Sequence, residues 1–172
     1  MDDSDDGEHQ KTVYAHFGLA IYMSQVLEHG LANALLVLDI VPRASAVATP
    51  ESWPEKVDSF YDAQFKRTLG SLIHRMRELT LVPAELEQVL KQALETRNWL
   101  SHHYFRERAM DFLSEAGRDR MTAELEEARD LFDAADKALD AVVRPIRQRY
   151  GYSEEILAKL EEEMFKEARG EL

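Results

Sequence analysis

Cysteine is absent from the 172 residues, so the chain has no disulfide framework, no thiolate metal site and no cysteine nucleophile. Positive charge is scarce: 21 Lys and Arg face 33 Asp and Glu, for a net charge of -12. That balance excludes a generally basic nucleic-acid surface, because such binding rests on neutralising phosphates. An acidic face suits a basic partner and solubility instead, and any RNA contact has to be a local patch. No alternating strand pattern, fixed-period repeat or low-complexity block is present. Long apolar runs are missing too, since Leu35 to Leu38, resuming after Asp39 as Ile40 and Val41, is far too short to span a bilayer. The opening residues Asp2 to Glu8 are acidic, where a secretory leader is basic and then apolar. The chain is therefore expected in the cytoplasm, away from membranes.

What is present is helical patterning. Hydrophobic residues make up 45% of the chain, enough for the core of one domain. Residues 1–10 are acidic without apolar spacing and are expected to form a disordered tail, leaving residues 11–172 as a single domain. Phe17, Ile21, Leu31, Leu35 and Leu38 recur at helix spacing, which predicts a first helix to about Ile40 and puts Ser24 and Glu28 on its inward face. Pro42 to Pro50 reads as a crossover loop. A second helix is expected from a capping box at Ser52 to Glu55 until about Leu79. A third opens at Pro83 and runs into, and even through, the stretch up to Phe112. A fourth resumes near Asp119 until Pro145 kinks or ends it, and a fifth follows Gly151. The expected fold is all-α, an antiparallel bundle of about five helices.

Candidate chemistry is concentrated in Arg97-Asn98-Trp99-Leu100-Ser101-His102-His103-Tyr104-Phe105. A fixed cation, an amide, two imidazoles and a phenol in so short a span suit phosphate chemistry, with groups that move protons near neutral pH. The string resembles the signature of HEPN domains, all-helical nucleotide- and RNA-associated domains marked by Arg, often followed by Asn, four intervening residues, then His. Here these are Arg97, Asn98 and His102, and Tyr104 matches the extended form found in HEPN toxins paired with nucleotidyltransferase antitoxins. The resemblance implies a metal-independent endoribonuclease without a cofactor, in which His102 is general base and acid, Arg97 stabilises phosphate charge and Asn98 orients phosphate or imidazole. Ser101 and His103 are accessory in that scheme. It also implies Tyr104 as an acceptor of nucleotidyl groups from a partner antitoxin.

Helix geometry limits that scheme. Positions five apart lie about 140° from each other on a straight helix, whereas Asn98 and His102 share a face. Arg97 and His102 converge only if the helix unwinds near His102-His103, or if two copies of the stretch meet across a two-fold axis. The second route is the one HEPN domains are described as using, so a homodimer is expected. Arg97 also has a structural role open to it, pairing with Glu28 or Glu95. Trp99, Leu100 and Phe105 are expected in core or interface. Three other readings stay in view. A metal site could draw on His16, Glu28, His29, His74, His102 and His103, although no Glu has a His three residues later, as di-iron bundles require. A magnesium-dependent nucleotide pyrophosphatase could use Glu124, Glu127, Asp133 and Asp136, though charges so spaced usually form a solvated face. The serious rival is a catalytically inactive dimeric helical module that binds a partner protein or nucleotide.

Overall fold

A computed structural model describes residues 3–44 and 52–171. Their regular structure is entirely helical. Helix α1 (Asp3–Leu35) runs into a π-helical turn at Leu36–Ile40 and the short α2 (Val41–Ala44), and the rest of the crossover lies outside the described residues. Next come α3 (Trp53–Gln64), α4 (Leu69–Leu79) and α5 (Ala84–His102). The short α6 (Tyr104–Glu107) and a 3-10 turn at Asp111–Leu113 lead to α7 (Glu115–Arg149), and α8 (Glu154–Ala168) ends the described chain.

Helices α1 and α7 pack most extensively, with α5 against both. Leu27, Leu31 and Leu35 from α1 share the core with Leu90 from α5 and Leu125, Phe132 and Leu139 from α7. Each such side chain stabilises the fold by roughly 1.5–3 kcal/mol when fully buried. His9 approaches Asp119 at 3.2 Å and His16 approaches Glu126 at 3.7 Å. Both pairs are 110 positions apart in the chain, so contacts on α7 advance as those on α1 advance. The two longest helices therefore run parallel. An up-down-up path through α1, α5 and α7 makes the first and third members parallel, whatever the short connections suggest.

Several boundaries differ from expectation. Helix α1 begins at Asp3, within residues 1–10. The expected second helix is two: the chain turns at residues 65–68, and Thr68 Oγ1 accepts from the Ser71 amide at 3.3 Å to start α4. Ser52 precedes α3 without a side-chain capping bond, so the capping box does not form. Helix α7 starts four residues earlier than expected and passes through Pro145 without ending. Ala141, whose carbonyl loses its partner there, is exposed beside an exposed Pro145, so water can take that carbonyl. Gly151 does terminate, with φ 87°, as a C-terminal glycine should.

Burial, then the fields of Asp140 and Asp133, hold the Asp136 carboxyl above its ordinary value of 3.8. A carboxyl raised in the folded state takes up protons on folding, so it destabilises the protein increasingly as pH rises from 3.8 through the raised value. We predict that Asp136→Asn raises the melting temperature at pH 7 and that the advantage vanishes below about pH 4. Thermal melts of both proteins from pH 3.5 to 8 provide the check, and an advantage that grows on acidification would count against it.

Candidate functional site

Helix α5 buries Leu86, Leu90, Ala93 and Leu100 against the bundle. That register leaves Asn98, Ser101 and His102 on its exposed face, at the spacing of neighbours on a helix. Arg97 stands half-buried toward α1. Its Nη2 lies 3.2 Å from Glu28 Oε1, a pairing by distance in which Glu28 Oε1 gains no aligned hydrogen bond. Its Nη1 donates to Asn98 Oδ1 at 3.2 Å. Arg97, Asn98 and Glu28 are thus brought together, while His102 sits exposed at the last position of the helix, meeting the ring of His103 edge-on at 6.3 Å.

The helix stops at His103, where φ −129° and ψ −27° break the regular geometry. The expected run through to Phe112 does not occur. This break swings His103 to the surface, where its Nδ1 accepts from Arg106 Nη2 at 3.2 Å. Because a guanidinium only donates, a neutral His103 carries its proton on Nε2.

Tyr104 turns the other way. It is 0% exposed, its hydroxyl donates to the Met121 carbonyl at 3.1 Å, and Phe17 and Trp99 pack on its ring. Burial foremost, with the Glu124 field adding, raises its pKa well above the ordinary 10.0. In this conformation the phenol expected as a nucleotidyl acceptor is enclosed, and its physical role is to anchor the turn. We predict that Tyr104→Phe folds normally and loses about 1 kcal/mol of stability in urea unfolding, the usual worth of such a bond.

Around that anchor the turn is tightly tied. Arg108 grips Glu124 with two hydrogen bonds of 2.8 Å and lies 5.3 Å over the Trp99 ring, while Trp99 Nε1 donates to Glu107 Oε2 at 2.9 Å. Arg118 is buried and donates to the Phe112 carbonyl at 3.0 Å. Arg120 pairs with Asp111 at 2.5 Å. Of the five arginines around the stretch, Arg97, Arg108, Arg118 and Arg120 are thus engaged with acidic side chains or backbone, and Arg106 leans on an imidazole. Sequence reasoning missed the neighbouring aromatic cluster, in which Tyr14 and Phe17 of α1 meet Phe105 and Phe112 at centroid distances of 4.8–5.8 Å. The helical spacing of Tyr14 and Phe17 was the available signal. Tyr14, Met110 and Leu113 are 53%, 79% and 73% exposed, so apolar side chains stand exposed in and beside this cluster.

Comparison with protein-family models, curated proteins and solved structures finds no match to this chain. The site thus has to be read from its own chemistry.

The side chains a metal reading would draw on have other neighbours: His16 faces Glu126, His74 faces Glu78, and the ring of His29 meets that of Phe65 at a tilt. Among the described residues no three His, Asp or Glu side chains gather to hold a metal ion. Of the acids in the pyrophosphatase reading, Glu124 is taken by Arg108 and Asp133 by Lys137. No helix among the described residues is long and apolar enough to cross a membrane.

Proposed function

We propose that this chain is a HEPN-like, toxin-type endoribonuclease whose composite site forms between two copies. The observation that carries the reading is the exposed end of α5, where Asn98, Ser101, His102 and His103 stand together beside half-buried Arg97. One copy supplies too little to close a site, since Arg97 is directed to Glu28 and His102 lies five positions on. The exposed apolar side chains of Tyr14, Phe105, Met110 and Leu113 support burial against a second copy, because exposed apolar surface favours association.

In the proposed reaction His102 takes the proton of a ribose 2′-hydroxyl. The 2′-oxygen attacks the adjacent phosphorus, the bond to the 5′-oxygen breaks, and an imidazolium returns a proton to that leaving oxygen. The products are a 2′,3′-cyclic phosphate and a 5′-hydroxyl, with no metal required. Arg97 stabilises charge on the transferred phosphate, and binding RNA draws it away from Glu28. Modification of Tyr104 by a nucleotidyltransferase-type antitoxin would require the turn at His103 to open, because the phenol is enclosed.

A second reading has observations of its own. Net charge of -12 and the engaged arginines favour a catalytically inactive dimeric module that binds a partner protein or nucleotide. Solution mass and cleavage of generic RNA in chelator separate the two. A dimer that cuts RNA is expected; a well-folded dimer that leaves RNA intact selects the binding module, and a strict monomer removes the composite site.

A further inference from the structure

Helix α8 has firm ends and little cover. Ser153 Oγ accepts from the Ile156 amide at 3.3 Å to start it, and Gly170, with φ 69°, turns the chain just beyond it. Among the described residues it packs extensively against no other element. Ile156, Met164 and Phe165 are 44%, 69% and 56% exposed. Together with Leu157 they fall on one side of the helix, as an amphipathic stripe should. A lone helix of 15 residues is marginal in water, because most helical stability comes from packing such a face. The stripe therefore lacks the cover that would hold α8 firmly helical.

Charge says what can supply it. Residues 154–171 carry seven Glu against Lys159, Lys166 and Arg169. The charges are also sorted around the stripe. Glu163 and Glu167, four apart and both exposed, follow Ile156 along one edge. Lys159 and Lys166 take the opposite face, where Lys166 pairs with Glu162 at 2.7 Å. The apolar face thus has an acidic edge, with its cations behind it. Helices that lie on membranes carry Lys and Arg on the polar face to meet anionic lipid, and α8 has the reverse. A nucleic-acid backbone repels the same carboxylates. So does a second copy, at a net charge of -12 on each.

We propose that α8 docks by its Ile156, Met164 and Phe165 face into an apolar groove of another protein whose rim carries Lys and Arg. Helix-in-groove recognition of this kind takes its affinity from the apolar anchors. The acidic edge selects a basic rim and speeds encounter. The inference holds whether or not the α5 site cuts RNA, since it shares no residue with that site.

The test begins with Phe165→p-benzoylphenylalanine in the full chain, photocrosslinked in the cells that make it, with the linked peptides sequenced by mass spectrometry. The expected product joins position 165 to one other protein, at an apolar surface flanked by Lys and Arg. That protein, purified, is then titrated against the full chain. Binding should weaken about tenfold between about 0.05 and 0.3 M salt, as screening removes the rim attraction. The double substitution Glu163→Gln and Glu167→Gln should weaken it about tenfold at low salt and flatten the salt dependence. Phe165→Ser should abolish binding with the melting temperature of the parent, because the ring is not part of the bundle's core. A crosslink to a second copy or to this chain's own bundle, or no crosslink, overturns the proposal. So does binding to phosphatidylglycerol vesicles that Phe165→Ser removes, parent-like affinity in the double substitution, or a lowered melting temperature in Phe165→Ser.

Discussion

His102→Ala is expected to lower RNA cleavage by about 100-fold or more, the usual contribution of a positioned general acid and base. The same substitution at His103 should change the rate only a few-fold. These two imidazoles are adjacent in sequence and both exposed, so composition cannot separate them. Their surroundings can: His103 Nδ1 is committed to Arg106, whereas His102 closes α5 on the face it shares with Asn98. Arg97→Ala should also cost about 100-fold, acting on transition-state charge. Because the proposed site takes groups from two copies, mixing His102→Ala and Arg97→Ala proteins should restore a fraction of the activity. Rates in chelator on a generic RNA provide the measurement. Cleavage that survives both single substitutions would sink the catalytic assignment, and mixing without recovery would place both groups in one copy.

Gly117→Ala is the substitution expected to damage folding most. A Cβ at this position would stand 2.0 Å from the Asp111 carbonyl oxygen and 2.6 Å from two further Asp111 backbone atoms. Backbone cannot move aside as a side-chain tip can, so the 3-10 turn or the first turn of α7 has to shift. Gly117 also donates its amide to the capping Ser114 Oγ at 3.1 Å, and a shift would strain that cap. Alanine's better helix propensity returns only about 1 kcal/mol. A net loss of roughly 3 kcal/mol is expected, at the upper end of overpacking costs, seen as a lower urea midpoint with an unchanged slope. Gly30→Ala offers the contrast. Its Cβ would meet Asp136 Oδ1 at 2.2 Å, but that carboxylate can rotate away, so the loss should be about 1 kcal/mol or less. Equal losses at the two positions would overturn this reading.

The two substitutions also mark what local patterning could and could not convey. Leu27, Leu31, Leu90, Leu125 and Leu139 announce their helices because burial repeats with the helix period. Thr68 was legible as a cap in principle, yet the unbroken apolar spacing from Phe60 to Met76 masks the corner between α3 and α4. Pro145 misleads in the opposite sense, because its cost depends on whether water reaches one carbonyl, which only tertiary structure decides. At the candidate site, Asn98 and His102 follow from spacing alone, and Glu28 was nameable from the inward stripe of α1. The fate of Tyr104 was not legible: one broken turn at His103 decides whether the next side chain enters solvent or core.

The parallel pairing of α1 and α7 has a consequence for the birth of the protein. Helix α1 has its main partner more than 100 positions downstream, on the order of ten seconds of synthesis later at ordinary rates. Throughout that interval Leu27, Leu31 and Leu35 have no α7 to bury them. The nascent chain thus leaves this apolar stripe without its α7 cover until α7 has been synthesised.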